Sequence, residues 1–304
     1  MKTLLFLGAC LLVSMSVLAD SWEVNTDITF RGAAIRSGIK RAGREAKGHV
    51  LYLEGLGDSM LNHDPLFEKL NRAGYAVIAF DYAGQGGSGG SMNRTTIEAI
   101  GELADIVWEK YVPEGRKKVL LGWSTGGLAA YRYAYRYPEK TDAVILIAPG
   151  IAPKTMVGET NLIPFLKHPI LCVRRKNDCK LLEITERSLT RNRFADEENP
   201  RREGIRPKSP LEVPAFALNL FSTALRAQSW GIDPKVRGLV FLSDDTDTYV
   251  HRKKTREVVE KNAAHFELID YQGTGALHEL DNEVPTVAGD LSQRLIHFLN
   301  RSLH

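Results

Sequence analysis

The sequence predicts an α/β protein: a mostly parallel, doubly wound sheet with an inserted, mainly helical cap. Three observations lead there. Continuously apolar runs alternate with helix-patterned stretches. A glycine-flanked serine stands where one run turns into a helix. One long interval contains no central strand. The 304 residues are 43% hydrophobic and 25% charged, an ordinary globular composition with room for one large domain and an insertion. A net charge of +3 gives no support for nucleic-acid binding.

The first residues stand apart. "MKTLLFLGACLLVSMSVLAD" has one lysine, an apolar run from Leu4 to Leu18, and small residues at Ala19 suited to cleavage. This is the layout of a secretory signal peptide over 1–19, and the run is short for a membrane span. The expectation is a secreted or periplasmic protein. Export would leave Cys172 and Cys179 in an oxidising compartment. On one straight helix they would lie about 10 Å apart, too far for a bridge. A turn at Asn177-Asp178 would bring them together, so a disulfide and two buried thiols both stay open.

Six strands are expected: "HVLYLEG" (49–55), "YAVIAFDY" (75–82), "KVLLGWS" (118–124), "DAVILIAP" (142–149), "RGLVFLS" (237–243) and "HFELIDY" (265–271). Nearly all are apolar throughout, as parallel strands covered on both faces are. Helical patterns fall at 64–73, 94–111, 126–137, 251–264 and 286–302. The alternation argues for a doubly wound sheet over 20–150 and 237–304. Between them, 151–236 lacks a strand and carries recurrent prolines, and reads as the cap. From Lys154 to Arg237 there are 16 Lys and Arg against 10 Asp and Glu, a local excess of +6.

"G-W-S-T-G" at 122–126 fits the nucleophile elbow, where glycines admit a strained strand-to-helix turn that exposes the serine hydroxyl. "KVLL" before it and "GLAAYRYAYRYP" after it supply the strand and the helix. Ser124 is therefore the candidate nucleophile. The base should follow an acid, which follows the serine. His278, in "GTGALHELDNE" between the last strand and the last helix, takes that place. His265 and His297 look structural. "SDDTDTYV" offers Asp244, Asp245 and Asp247 as acids, and two of them must be turn or cap residues. In "YRYAYRY" (131–137) the expectation is core packing, with Tyr131 and Tyr135 on one face and Arg132 and Arg136 in solvent, and no nucleic-acid role.

With these residues the chain resembles the α/β-hydrolase superfamily, closest to the monoacylglycerol lipase, lysophospholipase and serine-aminopeptidase-like branch. "DYAGQGGSGG" resembles the family's D-x-x-G-x-G-x-S turn, with Asp81, Gly84, Gly86 and Ser88 in place. That turn is structural. The family's acid commonly stands three residues before a valine; counting back from Val250 gives Asp247, with Asp245 as the alternative. Ser243 replaces the family's glycine, and the loop carries one extra residue. The resemblance also implies an oxyanion hole made by the backbone amides of Leu56 and Thr125. Where the family has His-Gly, this chain has Glu54-Gly55. A carboxylate there is unfavourable unless paired or protonated.

The expected function is a serine ester hydrolase acting through an acyl-enzyme, with Ser124 as nucleophile, His278 as base and Asp247 as orienting acid. No cofactor, metal or obligate protein partner is expected. "TNLIPFL" and "VPAFALNLF" suggest an acyl-chain surface, and the basic excess an anionic headgroup, hence a lipid-like ester and contact of the cap with a membrane surface. The alternatives are an aminopeptidase using "ADEEN" (195–199) to grip a free amino terminus, and a catalytically silent binding protein.

Overall fold

The computed structural model describes residues 22–43, 45–154, 184–208 and 212–303. The leader reading of 1–19, the pairing of Cys172 with Cys179 and the stretch "TNLIPFL" lie outside the described residues.

Eight strands form one sheet: β1 (Trp22–Phe30), β2 (Ala33–Lys40), β3 (Gly48–Leu53), β4 (Tyr75–Phe80), β5 (Lys118–Trp123), β6 (Ala143–Ile147), β7 (Arg237–Leu242) and β8 (Glu267–Asp270). Their order is β1-β2-β4-β3-β5-β6-β7-β8. β1–β2 and β2–β4 pair antiparallel; every other pair is parallel. The helices are α1 (Asp64–Arg72), α2 (Ile97–Tyr111), α3 (Thr125–Arg136), α4 (Glu186–Leu189), α5 (Ala195–Glu198), α6 (Pro214–Ala227), α7 (Arg252–Asn262) and α8 (Pro285–Leu303). Alternate strand residues enter opposite cores. Leu51 and Leu53 meet α2, α3 and α6 on one face, while Val50 and Tyr52 meet α1 and α8 on the other. Two covered faces are why these strands read as unbroken apolar runs. Among the described residues of 151–236 there is no strand of the sheet, only α4, α5 and α6.

The six expected strands are present with trimmed ends, and two more precede them. β1 and β2 form an edge hairpin whose outer strand is largely exposed, and β2 buries Ser37 and Lys40 among its apolar residues. Neither matches a central-strand pattern. α2 starts at Ile97, three residues later than its pattern implied, because Thr96 caps it through the Ala99 amide at 3.0 Å. α3 is covered on two sides, so Tyr131 and Tyr133 are the buried pair. Tyr135 instead is 42% exposed and stacks on Trp230, and Arg132 pairs with Glu98 at 3.2 Å.

β5 hands over to α3 at Ser124, which has φ +52° and ψ −114°. Its amide donates to Ile147 in β6 at 3.0 Å, and its carbonyl accepts from Gly150 at 2.7 Å. The glycines make room for this turn. A Cβ on Gly126 would sit 1.9 Å from the Leu53 carbonyl oxygen, and one on Gly122 would sit 2.3 Å from that of Gly126. Both obstacles are backbone and cannot swing aside. Gly126→Ala should therefore cost about 3 kcal/mol or more, the upper end of overpacking penalties. Denaturant unfolding checks this; a variant within about 1 kcal/mol of wild type would show that the close approach is not real.

Candidate active site

The structure brings Ser124, His278 and Asp247 into one hydrogen-bonded chain. His278 Nε2 lies 2.8 Å from Ser124 Oγ, and Nδ1 lies 2.8 Å from Asp247 Oδ2. The serine comes from the β5–α3 turn, the aspartate from the loop after β7, and the histidine from the loop after β8. Parallel strands put all three loops at the sheet's carboxyl edge. His278 and Asp247 are buried. The histidine is walled by the rings of Trp123 and Tyr249, at 5.3 and 4.9 Å, and Trp123 Nε1 donates to its carbonyl at 3.0 Å.

The three candidate acids part company. Asp247 Oδ1 accepts from the amides of Tyr249 and Val250 at 2.7 and 3.3 Å, and Oδ2 accepts from Ser243 Oγ at 2.6 Å. Burial alone would raise its carboxyl, but His278, Ser243 and the Tyr249 amide together hold it below the usual carboxylate range. Asp245 instead faces solvent and pairs with Arg252 at 2.9 and 3.0 Å. Asp244 accepts from the amides of Thr246 and Gly275, each at 3.1 Å. The hydroxyl of Ser243, where the family has glycine, is an added donor to the acid.

Ser124 opens into an apolar cavity of ≈ 550 Å³, counting its open mouth, whose walls include Trp123, Ile184, Leu189, Leu220, Phe221 and Tyr249. Leu56 and Thr125, the two residues whose amides the sequence nominates for an oxyanion hole, line the same cavity. Leu220 and Phe221 belong to "VPAFALNLF". None of Asp196, Glu197 and Glu198 lines it. Asp196 instead pairs with Arg202 at 3.2 Å, and Glu198 accepts from Asn192 at 2.8 Å.

Basic residues of the β6–β7 connection grip core carboxylates. Arg191 pairs with the buried Glu283 at 3.1 Å, Arg201 with Asp64 at 3.3 Å, and Arg202 with the buried Glu279 through two bonds of 2.9 and 2.7 Å. Glu203 in turn meets Arg36 in β2, which also pairs with the buried Asp81. Asp81 accepts from the amides of Met60 and Gly87 at 2.8 and 2.7 Å, so the glycine-rich turn braces the loop after β3.

Glu54 sits in that loop, fully buried. Its Oε1 accepts from the Tyr82 amide at 2.7 Å and from Gln85 Nε2 at 2.6 Å, while Oε2 has no partner. Burial, reinforced by Asp81 and Asp58 nearby, pushes its carboxyl well above the usual carboxylate range. A buried oxygen without a donor is tolerable on a neutral acid and costly on a carboxylate. These surroundings favour the neutral acid, which sets no negative charge beside Leu56. The folded state holds a proton that the unfolded chain releases above about pH 4.3, so this group lowers stability as pH rises toward its folded value. Glu54→Gln keeps the shape without that proton. It should raise Tm at pH 8, and the gain should vanish near pH 4. Scans at both values decide it; a variant less stable at pH 8 than wild type would mean that Glu54 is ionised in the fold.

Residues 44–285 match the family described as serine aminopeptidase, S33. Among curated proteins, the chain is similar to the pimeloyl-acyl-carrier-protein methyl ester esterase of Proteus mirabilis: 31% identity over 125 residues, 38% of this chain and 45% of that protein. The chain thus spans under half the length of that relative. Among solved structures, the monoacylglycerol lipase of Paleococcus ferrophilus superposes with a TM-score of 0.65 at 23% identity, covering 87% of this chain and 98% of that one. A soluble variant of the monoglyceride lipase of Saccharomyces cerevisiae gives 0.68 at 16% identity over 93% and 97%. These likenesses speak for the fold, and the family match covers well over half of the chain. The chain belongs to the serine aminopeptidase S33 family and has the α/β-hydrolase fold.

Proposed function

We propose that the protein is a serine ester hydrolase that works through an acyl-enzyme on lipid-like carboxylic esters. The observation that carries this is the chain Asp247–His278–Ser124 opening on an apolar cavity. Ser124 Oγ attacks the acyl carbon while His278 Nε2 takes its proton. The amides of Leu56 and Thr125 receive the developing oxyanion. The protonated imidazole, steadied by Asp247, returns the proton to the leaving alcohol, and water then releases the acid by the same route. The β6–β7 connection acts as the cap that shapes the acyl site, with Leu220 and Phe221 on its wall.

The lipid-like substrate draws support from the apolar walls more than from charge, since Arg191, Arg201 and Arg202 are already paired with core carboxylates. The peptidase reading keeps the family's description in its favour, but its acidic cluster stands away from Ser124.

A fluorophosphonate probe should label wild type and fail to label Ser124→Ala. That variant should also lose about 10⁴-fold or more of its turnover of short p-nitrophenyl esters, with unchanged circular dichroism. Asp247→Asn should cost about 10⁴-fold and Asp245→Asn little. An unlabelled wild type would favour a silent binding protein, and equal losses at the two aspartates would refute the acid's assignment.

Substrate class is read from esters of two to sixteen carbons. Burial of each methylene is worth about 0.8 kcal/mol. Where part of it appears in the transition state, kcat/KM climbs with length until the cavity is full. A flat profile together with cleavage of amino-acid naphthylamides would hand the protein to the peptidase reading.

A further inference from the structure

His63 is almost fully buried just before α1, with a carboxylate on each side of its ring. Nε2 lies 2.9 Å from Asp58 Oδ2, and Nδ1 lies 2.5 Å from Asp281 Oδ2. A neutral imidazole has one N–H and can satisfy only one of these oxygens. Asp58 is surrounded by donors: Tyr52 Oη at 3.0 Å, Asn62 Nδ2 at 2.9 Å and the Gly55 amide at 3.4 Å. It is therefore a carboxylate, while Asp281 has its Oδ1 without a partner; an imidazolium that donates to both acids meets both contacts at once. Burial works against that charge, but Asp281 and Asp58 outweigh it and push the His63 imidazole well above its ordinary value.

The place of this ring is what gives it a role. Asp58 belongs to the loop that carries Leu56, and its carboxylate takes the Gly55 amide. Asp281 stands three residues beyond His278, and Asn282 Nδ2 donates to the Asn62 carbonyl at 3.0 Å. Trp123, the residue before Ser124, has its ring 5.0 Å from His63 and 5.3 Å from His278. One cation thus touches the loop of the nominated oxyanion donor, the loop of the histidine and the wall they share.

We propose that His63 is a positioning residue of this hydrolase: it clasps Asp58 to Asp281 and so fixes the loop bearing Leu56 against the loop bearing His278. The proposal rests on the serine-hydrolase reading. A donor displaced by about an ångström can cost about 100-fold in rate, and the ground-state complex feels it far less.

His63→Gln removes the charge and one of the two bonds. Per fluorophosphonate-titrated site, kcat on a p-nitrophenyl ester should fall about 10- to 100-fold with KM within about threefold. Asp281→Asn nearly keeps the shape and should show a smaller fall of the same kind; it serves alone if His63→Gln does not fold. A kcat within about twofold of wild type in the folded variants would overturn the proposal, even with a lowered Tm, because His63 would then be structural only. Nitrogen-15 NMR of histidine-labelled wild type gives an independent reading. Both ring nitrogens of His63 should carry protons at pH 8. The groups facing the ring are Tyr52 from β3, Asp58 and Asp281 from the two loops, and the uncharged rings of Trp123 and Phe67. A neutral His63 at pH 7 would also overturn the clasp. A wild type that takes no probe defeats the hydrolase reading, and the NMR result then decides the clasp by itself.

Discussion

The carbonyl of Leu53 occupies the space where a side chain at position 126 would have to go. This contact between the end of β3 and the first turn of α3 is the constraint on which the site depends. It forces glycine at 126, lets the helix approach the sheet, and holds Ser124 at φ +52°, where the end of β6 and the loop after it fix its amide and carbonyl. It also sets the loop after β3 beside the helix N-terminus, where the amides of Leu56 and Thr125 come to share a cavity with the serine. A wider gap at 126 would separate Ser124 from the amide of Leu56 without moving either strand.

Such a tight junction buries many polar groups of the loop after β3. Three acids within a short space meet different fates because their partners differ. Asp58 has three donors besides the His63 ring and stays ionised; its carboxyl lies below the usual range despite burial, chiefly through His63. Asp81 has Arg36 and two amides, yet burial still leaves it above the usual range. Glu54 has neither cation nor enough donors, and it remains neutral. Environments that push neighbouring carboxyls apart are how one loop holds charge where it braces structure and withholds it where an oxyanion would form. The arginines of the β6–β7 connection extend this frame. Arg202 holds Glu279, the neighbour of His278, and the amide of Arg206 donates to the Gly57 carbonyl at 2.9 Å.

The parts of the molecule legible in the sequence are those governed by short-range pattern. The central strands declared themselves because both faces are buried, and Ser124 because its turn requires glycines at fixed offsets. His278 was nominated by chain order and its loop after the last strand, and Asp247 by the spacing to Val250 that the family resemblance implies. Long-range polar pairing escaped notice. β2 carries Arg36, Ser37 and Lys40 on positions that face Asp81, Asp64 and other buried partners, so its apolar pattern is broken by residues whose partners lie far along the chain. His63 was hidden for the same reason: Asp281 stands 218 residues away, and nothing in "DSMLNHD" points to it. The basic excess of 151–236 was visible, but its use was not. Three of those arginines serve the core, which a charge count cannot tell from a surface waiting for an anion.

On the proposed function, selection of substrate would fall to shape and apolar contact. The walls around Ser124 offer an acyl group leucine, isoleucine and aromatic surface from the β6–β7 connection and from the loop after β7. The charges nearest the site are arranged inward: Asp247 toward His278, Glu279 toward Arg202, Asp58 and Asp281 toward His63. None of these carboxylates lines the cavity. Among the described residues that line it, a free amino terminus would meet no carboxylate to replace its water, and leaving an ammonium unpaired in such a place costs several kcal/mol. An alkyl chain meets no such penalty and gains from every methylene removed from water. On the proposed ester-hydrolase reading, the inward pairing that braces the loops would also favour uncharged acyl groups.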